Sequence, residues 1–187
     1  MTVIDDDLRG MALQMAADAR AYLTTVTEVA AGSSPDAALP LLLLAVSDVL
    51  GAGSRLGAIT DVVPADRFEP DLGPDSDLEP LRDNLANAMD GLDEYTDVVD
   101  PLVGAETELL TLSGGLVSVA QALVQGLRHY EAGQVTEALW WWQFSYLSDW
   151  GTTASSVLRA LQEMLAHVRL DVEDDVAAEA EFEALQS

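Results

Sequence analysis

The sequence contains no cysteine and no lysine, and it has only two histidines. The absence of cysteine excludes disulfides, thiolate catalysis and zinc–thiolate sites, and it fits a reducing compartment. The His-x-x-x-His and Glu-x-x-His pairs that hold metals in helical bundles are also missing. The chain has neither a glycine-rich phosphate loop followed by lysine nor a GxSxG nucleophile motif. We therefore predict no catalytic residue and no cofactor.

Positive charge is scarce as well, because eight arginines face 33 acids and the formal net charge is −25. Binding to a phosphate backbone or to an anionic membrane needs a basic patch, which this composition cannot supply. Two explanations of the acidity remain open. The acids either keep the protein soluble or imitate a nucleic acid and occupy a basic groove on a partner. Their scatter among Ala, Val and Leu favours the first.

The N-terminus lacks the features of a secretory signal, because its first seven residues include three acids and no apolar run. The most apolar stretch, residues 39–46, is less than half of the roughly 20 residues that a membrane span requires. We predict a cytoplasmic protein.

Apolar residues recur at three- and four-residue steps, which is typical of amphipathic helices. The predicted helices cover residues 5–31, 40–56, 78–99, 106–130 and 135–170. Four of the seven prolines fall between residues 59 and 80, which predicts a long irregular connection. No strand alternation persists, so the predicted fold is an all-α, single-domain bundle of about five helices. The bundle takes residues 1–170, and residues 171–187 form an acidic tail.

The fifth segment carries most of the aromatic residues. On a helical wheel, its apolar residues fall within about 60° of Leu139, and the phase continues across Gly151. This stripe comprises Trp142, Tyr146, Trp150, Val157, Leu161, Met164 and Val168, and it is widened by Trp140, Phe144 and Leu147. The pattern predicts one long helix that forms the centre of the bundle.

Three kinds of polar or exposed residue are candidates for function. Asp93, Asp97 and Asp100 share one face of the predicted third helix, and with Asp149 they offer oxygen ligands for Mg²⁺ or Ca²⁺. A solvated helix face explains the same row. The two histidines, His129 and His167, are predicted to lie on the surface.

Trp141 points about 200° away from the aromatic stripe of its helix. An exposed tryptophan there indicates a groove or a subunit interface. The alternative is that a terminal segment covers it.

Several motifs resemble the bacterial domain-of-unknown-function family 5063 over about residues 78–165. They are Tyr130-Glu131-Ala132-Gly133, Glu137-Ala138-Leu139-Trp140, Trp142, Phe144, Trp150-Gly151 and Arg159-Ala160-Leu161, with Tyr95, Val98 and Asp100-Pro101 upstream. The resemblance implies a helical bundle with no established activity. It also implies aspartates, histidines and a glutamate at positions where this chain has Gly114, Gly115, Ser118, Asp149, Thr153 and Trp141. A family site between those helices would therefore be degenerate here.

The sequence favours a non-enzymatic helical scaffold that acts through contacts with an unknown protein partner, or as a homodimer. The alternative is a small-molecule or divalent-cation pocket between the third, fourth and fifth helices, using Asp93, Asp97, Asp100 and Asp149. A hydrolase in a bundle of this kind would need a base and a metal that the sequence does not bring together.

Overall fold

Two helices joined by a short turn begin the fold, α1 (Asp6–Ala30) and α2 (Ala38–Gly57). The computed structural model describes residues 6–64, 72–98 and 102–185, with side chains up to Leu170. Gly32 follows α1 with a φ of 68°, a left-handed conformation that ends helices and suits glycine. The apolar stripes place Tyr22, Val26, Leu42 and Val46 in the core. The first two predicted helices are confirmed.

The helical stretch Pro35–Gly57 is, by length and composition, apolar enough to cross a membrane, and it is the one such stretch in the described part of the chain. In the bundle its buried side chains face α1 and α6, a helix that comprises Gly151–Leu185. Core helices of soluble proteins have the same composition, so this helix alone does not place the protein in a membrane.

The predicted third helix, residues 78–99, is wrong after Ala88. Helix α3 spans Glu79–Ala88, and the chain then turns through Gly91 at a φ of 80° into a β-hairpin. Strand β1 (Glu94–Val98) pairs antiparallel with β2 (Thr107–Thr111). The spacing of the apolar residues between Gly91 and Val98 fits a strand as well as a helix. The left-handed conformation of Gly91 interrupts the helix, so the residues after it form a strand. The prediction that no strand exists is therefore wrong, although the mainly helical fold class is confirmed.

Helix α4 (Leu112–Glu131) starts six residues later than predicted, because the residues before it form β2. It is buried on most of its circumference and contacts α1, α3, α6 and the next helix, α5 (Val135–Ser145). The Tyr22 hydroxyl donates a 2.9 Å hydrogen bond to the Leu116 carbonyl, and burial raises the pKa of this tyrosine. Helix α4 therefore shares the centre of the bundle with the aromatic helix.

The aromatic segment is a continuous helical rod, interrupted by one π-helical turn. Helix α5 leads into the π turn (Tyr146–Trp150), which continues as α6. The i→i+5 hydrogen bonds of a π turn rotate the following residues relative to an α-helical wheel. Trp142 and Trp150 are fully buried as predicted. Helix α6 runs to Leu185, past the predicted end of this helix at residue 170. Most of the predicted acidic tail is therefore helical, and its separation from the bundle stays a prediction.

The predicted widening of the aromatic stripe is wrong for two residues. Phe144 is 52% exposed and Leu147 is 60% exposed, and Val168, at the far end of the stripe, is 52% exposed. An unbroken α-helical wheel placed all three near the core. The π turn shifts the phase of the rod from Tyr146 onward, and Leu147 lies within it and faces outward. Phe144 precedes the turn and lies on the side of α5 opposite the buried Trp142.

The proline-rich connection contains no helix or strand in residues 59–64 and 72–78, the parts of it that the structure describes before α3. Its first residues are fixed to the rod by the buried side chain of Gln143. The Gln143 amide oxygen accepts a 2.7 Å hydrogen bond from the Val62 N–H, and its nitrogen donates to the Leu56 carbonyl at 3.0 Å.

Candidate functional site

An open groove of about 730 Å³ lies between residues 75–82, helix α4 and residues 141–149 of the rod. We call it the acidic groove. Its volume is in the range of about 300–1,000 Å³ that is usual for ligand-binding sites. Three elements that are distant in sequence form its walls, so the groove exists only in the folded bundle.

The outer wall is the segment that leads into α3. Asp75 and Asp77 lie there, and the Asp77 carboxylate accepts a 3.1 Å hydrogen bond from the Glu79 N–H at the start of the helix. Glu79 also forms an ion pair with Arg82, one turn further along. This pair is exposed, and its charges cancel. The net negative charge of this wall therefore comes from Asp75 and Asp77.

Arg128 on α4 fixes the position of this outer wall. Its guanidinium donates hydrogen bonds to the carbonyl oxygens of Leu72 and Gly73, and to the Gln125 side chain at 3.1 Å. The irregular connection is thereby tied to the centre of the bundle a few residues before Asp75.

The floor of the groove is one face of α4. Gly114 and Ser118 give this face a low profile at one end, while Gln121 and Gln125 place amide groups at the other. Thr111 caps the N-terminus of this helix, because its hydroxyl accepts a 3.2 Å hydrogen bond from the Gly114 N–H. Amide side chains both donate and accept hydrogen bonds, as a peptide ligand requires.

The inner wall is aromatic. The indole N–H of Trp141 donates a 3.0 Å hydrogen bond to the Ala122 carbonyl, which holds the half-buried ring against α4. Phe144 lies one turn further along the rod and stacks on Trp140, with ring centroids 5.4 Å apart. About half of the Phe144 side chain is exposed. The groove thus offers ring faces as well as carboxylates.

The π turn adds Ser148 and Asp149 at the end of this wall. The lining then contains four carboxylates and one guanidinium, that of Arg82. Irregular helical turns of this type occur frequently at functional sites. The electrostatic potential of the groove favours a cationic ligand.

The structure places Trp141 in the wall of the groove instead of exposing it fully. In the described part of the chain its ring is held against α4. Its predicted role as a contact for a partner stays a prediction. The neighbouring Phe144, which the sequence placed in the core, is the more exposed aromatic residue.

Three of the four predicted metal ligands lie in the described part of the chain, and the structure does not bring these three together. Asp93 precedes β1, and its two carboxylate oxygens each accept a 2.7 Å hydrogen bond, from the backbone N–H and the hydroxyl of Ser113. Asp97 lies on β1 and contacts Ser156 and Arg159, while Asp149 lies in the acidic groove. Asp100 lies outside the described residues. Within the described ranges, no group of three or more acidic or histidine side chains is arranged to hold a metal.

The prediction for His129 is wrong, because this side chain is completely buried. Its Nδ1 shares a 2.8 Å hydrogen bond with the Gln134 amide oxygen in the turn after α4. Even the polar side of α4 is covered by neighbouring helices. His167 is exposed on α6, as predicted.

A second cavity of about 350 Å³ lies between the hairpin, the start of α4 and α6. The Tyr95 hydroxyl and the Ser156 hydroxyl share a 2.9 Å hydrogen bond beside it. Burial raises the pKa of Tyr95, while the bond to Ser156 and the charge of Arg159 oppose that shift. The phenol is therefore neutral at physiological pH. We call this space the hydroxyl cavity.

Comparison with known proteins identifies the family. A family model described as a domain of unknown function (DUF5063) matches residues 6–167. The chain belongs to this family. The resemblance found in the sequence motifs is confirmed, and the DUF5063 match also includes α1 and α2.

One solved structure similar to this DUF5063 domain is the crystal structure of protein BF1032 from Bacteroides fragilis. The TM-score is 0.66 at 15% sequence identity, and the match covers 81% of this chain and 90% of that chain. At this identity the similarity shows a shared fold alone. No curated protein matches the chain.

Proposed function

We propose that this DUF5063 domain is a non-enzymatic protein-interaction domain that binds a basic segment of a partner protein in the acidic groove. The observation that carries the proposal is the combination of four carboxylates, one guanidinium and two aromatic side chains around a single 730 Å³ groove. Cytoplasmic location and the absence of membrane or direct nucleic-acid binding belong to the same proposal.

Arginine side chains suit this lining for two reasons. A guanidinium donates paired hydrogen bonds to carboxylates such as Asp75 and Asp149, and its planar face stacks on aromatic rings such as Trp141 and Phe144. Lysine satisfies the charge but not the planar geometry. We therefore expect the groove to prefer arginine to lysine in the bound segment.

A protein partner suits the surroundings of the groove better than a small free cation does. Phe144 and Ser148 also line a neighbouring depression of about 430 Å³. The exposed Val63 and Leu147 lie there. A protein segment has apolar atoms to cover these side chains, whereas a polyamine offers few.

The other functions predicted from the sequence have less support. A divalent-cation site would need the aspartates that the structure separates. Imitation of a nucleic acid and formation of a homodimer stay predictions. Light scattering of the purified protein gives its molar mass in solution and so shows whether it forms a homodimer.

Replacing Asp75 and Asp149 together with asparagine is expected to weaken binding of the labelled peptide Arg-Ser-Arg-Ser-Arg. Both carboxylates line the groove at its solvent side, so each exposed pair contributes less than a buried one. We expect the dissociation constant to rise about three- to tenfold, and less at high salt. Fluorescence anisotropy measures the change.

The matched control replaces two exposed aspartates that do not line the groove, Asp36 in the α1–α2 turn and Asp48 in the middle of α2, with asparagine. This control removes the same charge at a distance from the groove, and it should leave the dissociation constant within about twofold. Equal weakening by both double variants would show nonspecific attraction and contradict the proposal. So would groove-dependent binding of spermidine without binding of any arginine peptide.

A further inference from the structure

The acidic groove and the hydroxyl cavity meet on α4. Gly114 and Ser118 line both spaces, and they lie one helical turn apart on the same face. Gly114 has no side chain and Ser118 has a short one, so the ridge between the two spaces is low. A ligand chain can pass over it without displacing a large side chain.

We infer that the two spaces form one continuous track for a single extended segment of the partner, which runs along α4 and passes over Gly114 and Ser118. This inference rests on the proposed function of the acidic groove. The lining residues run along α4 from Thr111 to Gln125, which is about 21 Å at about 1.5 Å per residue. An extended chain of about six or seven residues covers that distance.

The two spaces have different walls, so we expect a segment that follows both to bend at the ridge, which favours an extended segment over a helix. The acidic groove lies between α3, α4 and the rod, whereas the hydroxyl cavity lies between α4, the hairpin and α6. A helix is about 10–12 Å wide with its side chains and runs straight. It cannot follow this turn, but an extended chain can bend at each residue.

The chemistry of the hydroxyl cavity fits peptide backbone. Ser118, Thr152 and Thr153 contribute hydroxyl groups, which both donate and accept hydrogen bonds. The charge of Asp97 is matched by Arg159, so the cavity is less strongly acidic than the groove. A peptide offers alternating N–H and C=O groups to such a lining, whereas a polyamine offers donors alone.

The test compares Arg-Ser-Arg-Ser-Arg with the same peptide extended by the uncharged sequence Gly-Ser-Thr-Gly-Ser at either end. On the unmodified protein, we expect one of the extended peptides to bind about tenfold more tightly than the short one, because a few net hydrogen bonds are added. Thr152→Met, which narrows the hydroxyl cavity, should remove this advantage and leave the short peptide within about twofold.

The control is Ser155→Met on the same helix, because Ser155 is exposed and does not line the cavity. It should keep the full advantage of the extended peptide. Equal affinity of short and extended peptides on the unmodified protein would overturn the track, while the groove proposal would stand. Failure of every arginine peptide to bind would overturn both. A Thr152→Met effect of equal size on both peptides would also overturn the track.

Discussion

Replacing Trp142 with alanine is expected to lower the free energy of unfolding by about 3–5 kcal/mol. Trp142 is fully buried between α4 and α5, and its indole N–H donates a 3.2 Å hydrogen bond to the Leu123 carbonyl. The substitution leaves a cavity in the core and removes the indole hydrogen bond to the Leu123 carbonyl. Urea unfolding followed by far-ultraviolet circular dichroism measures the loss.

The matched control is Phe144→Ala, two residues further along the same helix. Phe144 is 52% exposed, so its removal should cost less than about 1.5 kcal/mol. If the two substitutions cost the same, the phase of the rod given by the structure is wrong, and the aromatic wall of the acidic groove is wrong with it.

Replacing Gly126 with alanine is expected to destabilise the protein by about 2–3 kcal/mol, although alanine normally favours helices. A Cβ atom at Gly126 would overlap the indole of Trp142, which has no free space to move into. The ring must shift, and its hydrogen bond to the Leu123 carbonyl is strained or lost. The same urea experiment gives the change.

Gly10→Ala is the control, because a Cβ at Gly10 meets no atom within 4 Å. In this exposed part of α1 the substitution should stabilise the protein by up to about 1 kcal/mol. A double variant, Gly126→Ala with Trp142→Phe, should lose less than the sum of its single variants, since a smaller ring leaves room for the new methyl group. Strict additivity would show that the two residues do not touch.

The helices that pack through one long apolar stripe could be predicted from the sequence. For α1, Met15, Ala19, Tyr22 and Val26 recur at helical spacing and are all buried. The hairpin could not be predicted in this way, because a short segment around Tyr95 fits helical and strand spacing equally well. The π turn has no signature in the apolar pattern, so the exposure of Leu147 was also missed.

Less of the candidate site could be predicted. The sequence pointed to a pocket between the third, fourth and fifth helices, and the acidic groove lies there. Of the predicted ligands that the structure describes, Asp149 alone lines it. Asp75 and Asp77 lie in an irregular connection whose position depends on contacts of Arg128 with distant carbonyl groups. Such tertiary contacts leave no local pattern in a sequence.

The indole N–H resonances of the four tryptophans, recorded by ¹H–¹⁵N correlation spectroscopy, test the binding site most directly. On titration with Arg-Ser-Arg-Ser-Arg, the Trp141 signal should shift, because its ring forms the wall of the groove. The signals of Trp142 and Trp150 should stay in place, because both rings are fully buried. Binding that leaves the Trp141 resonance unmoved would contradict the acidic groove as the site of interaction.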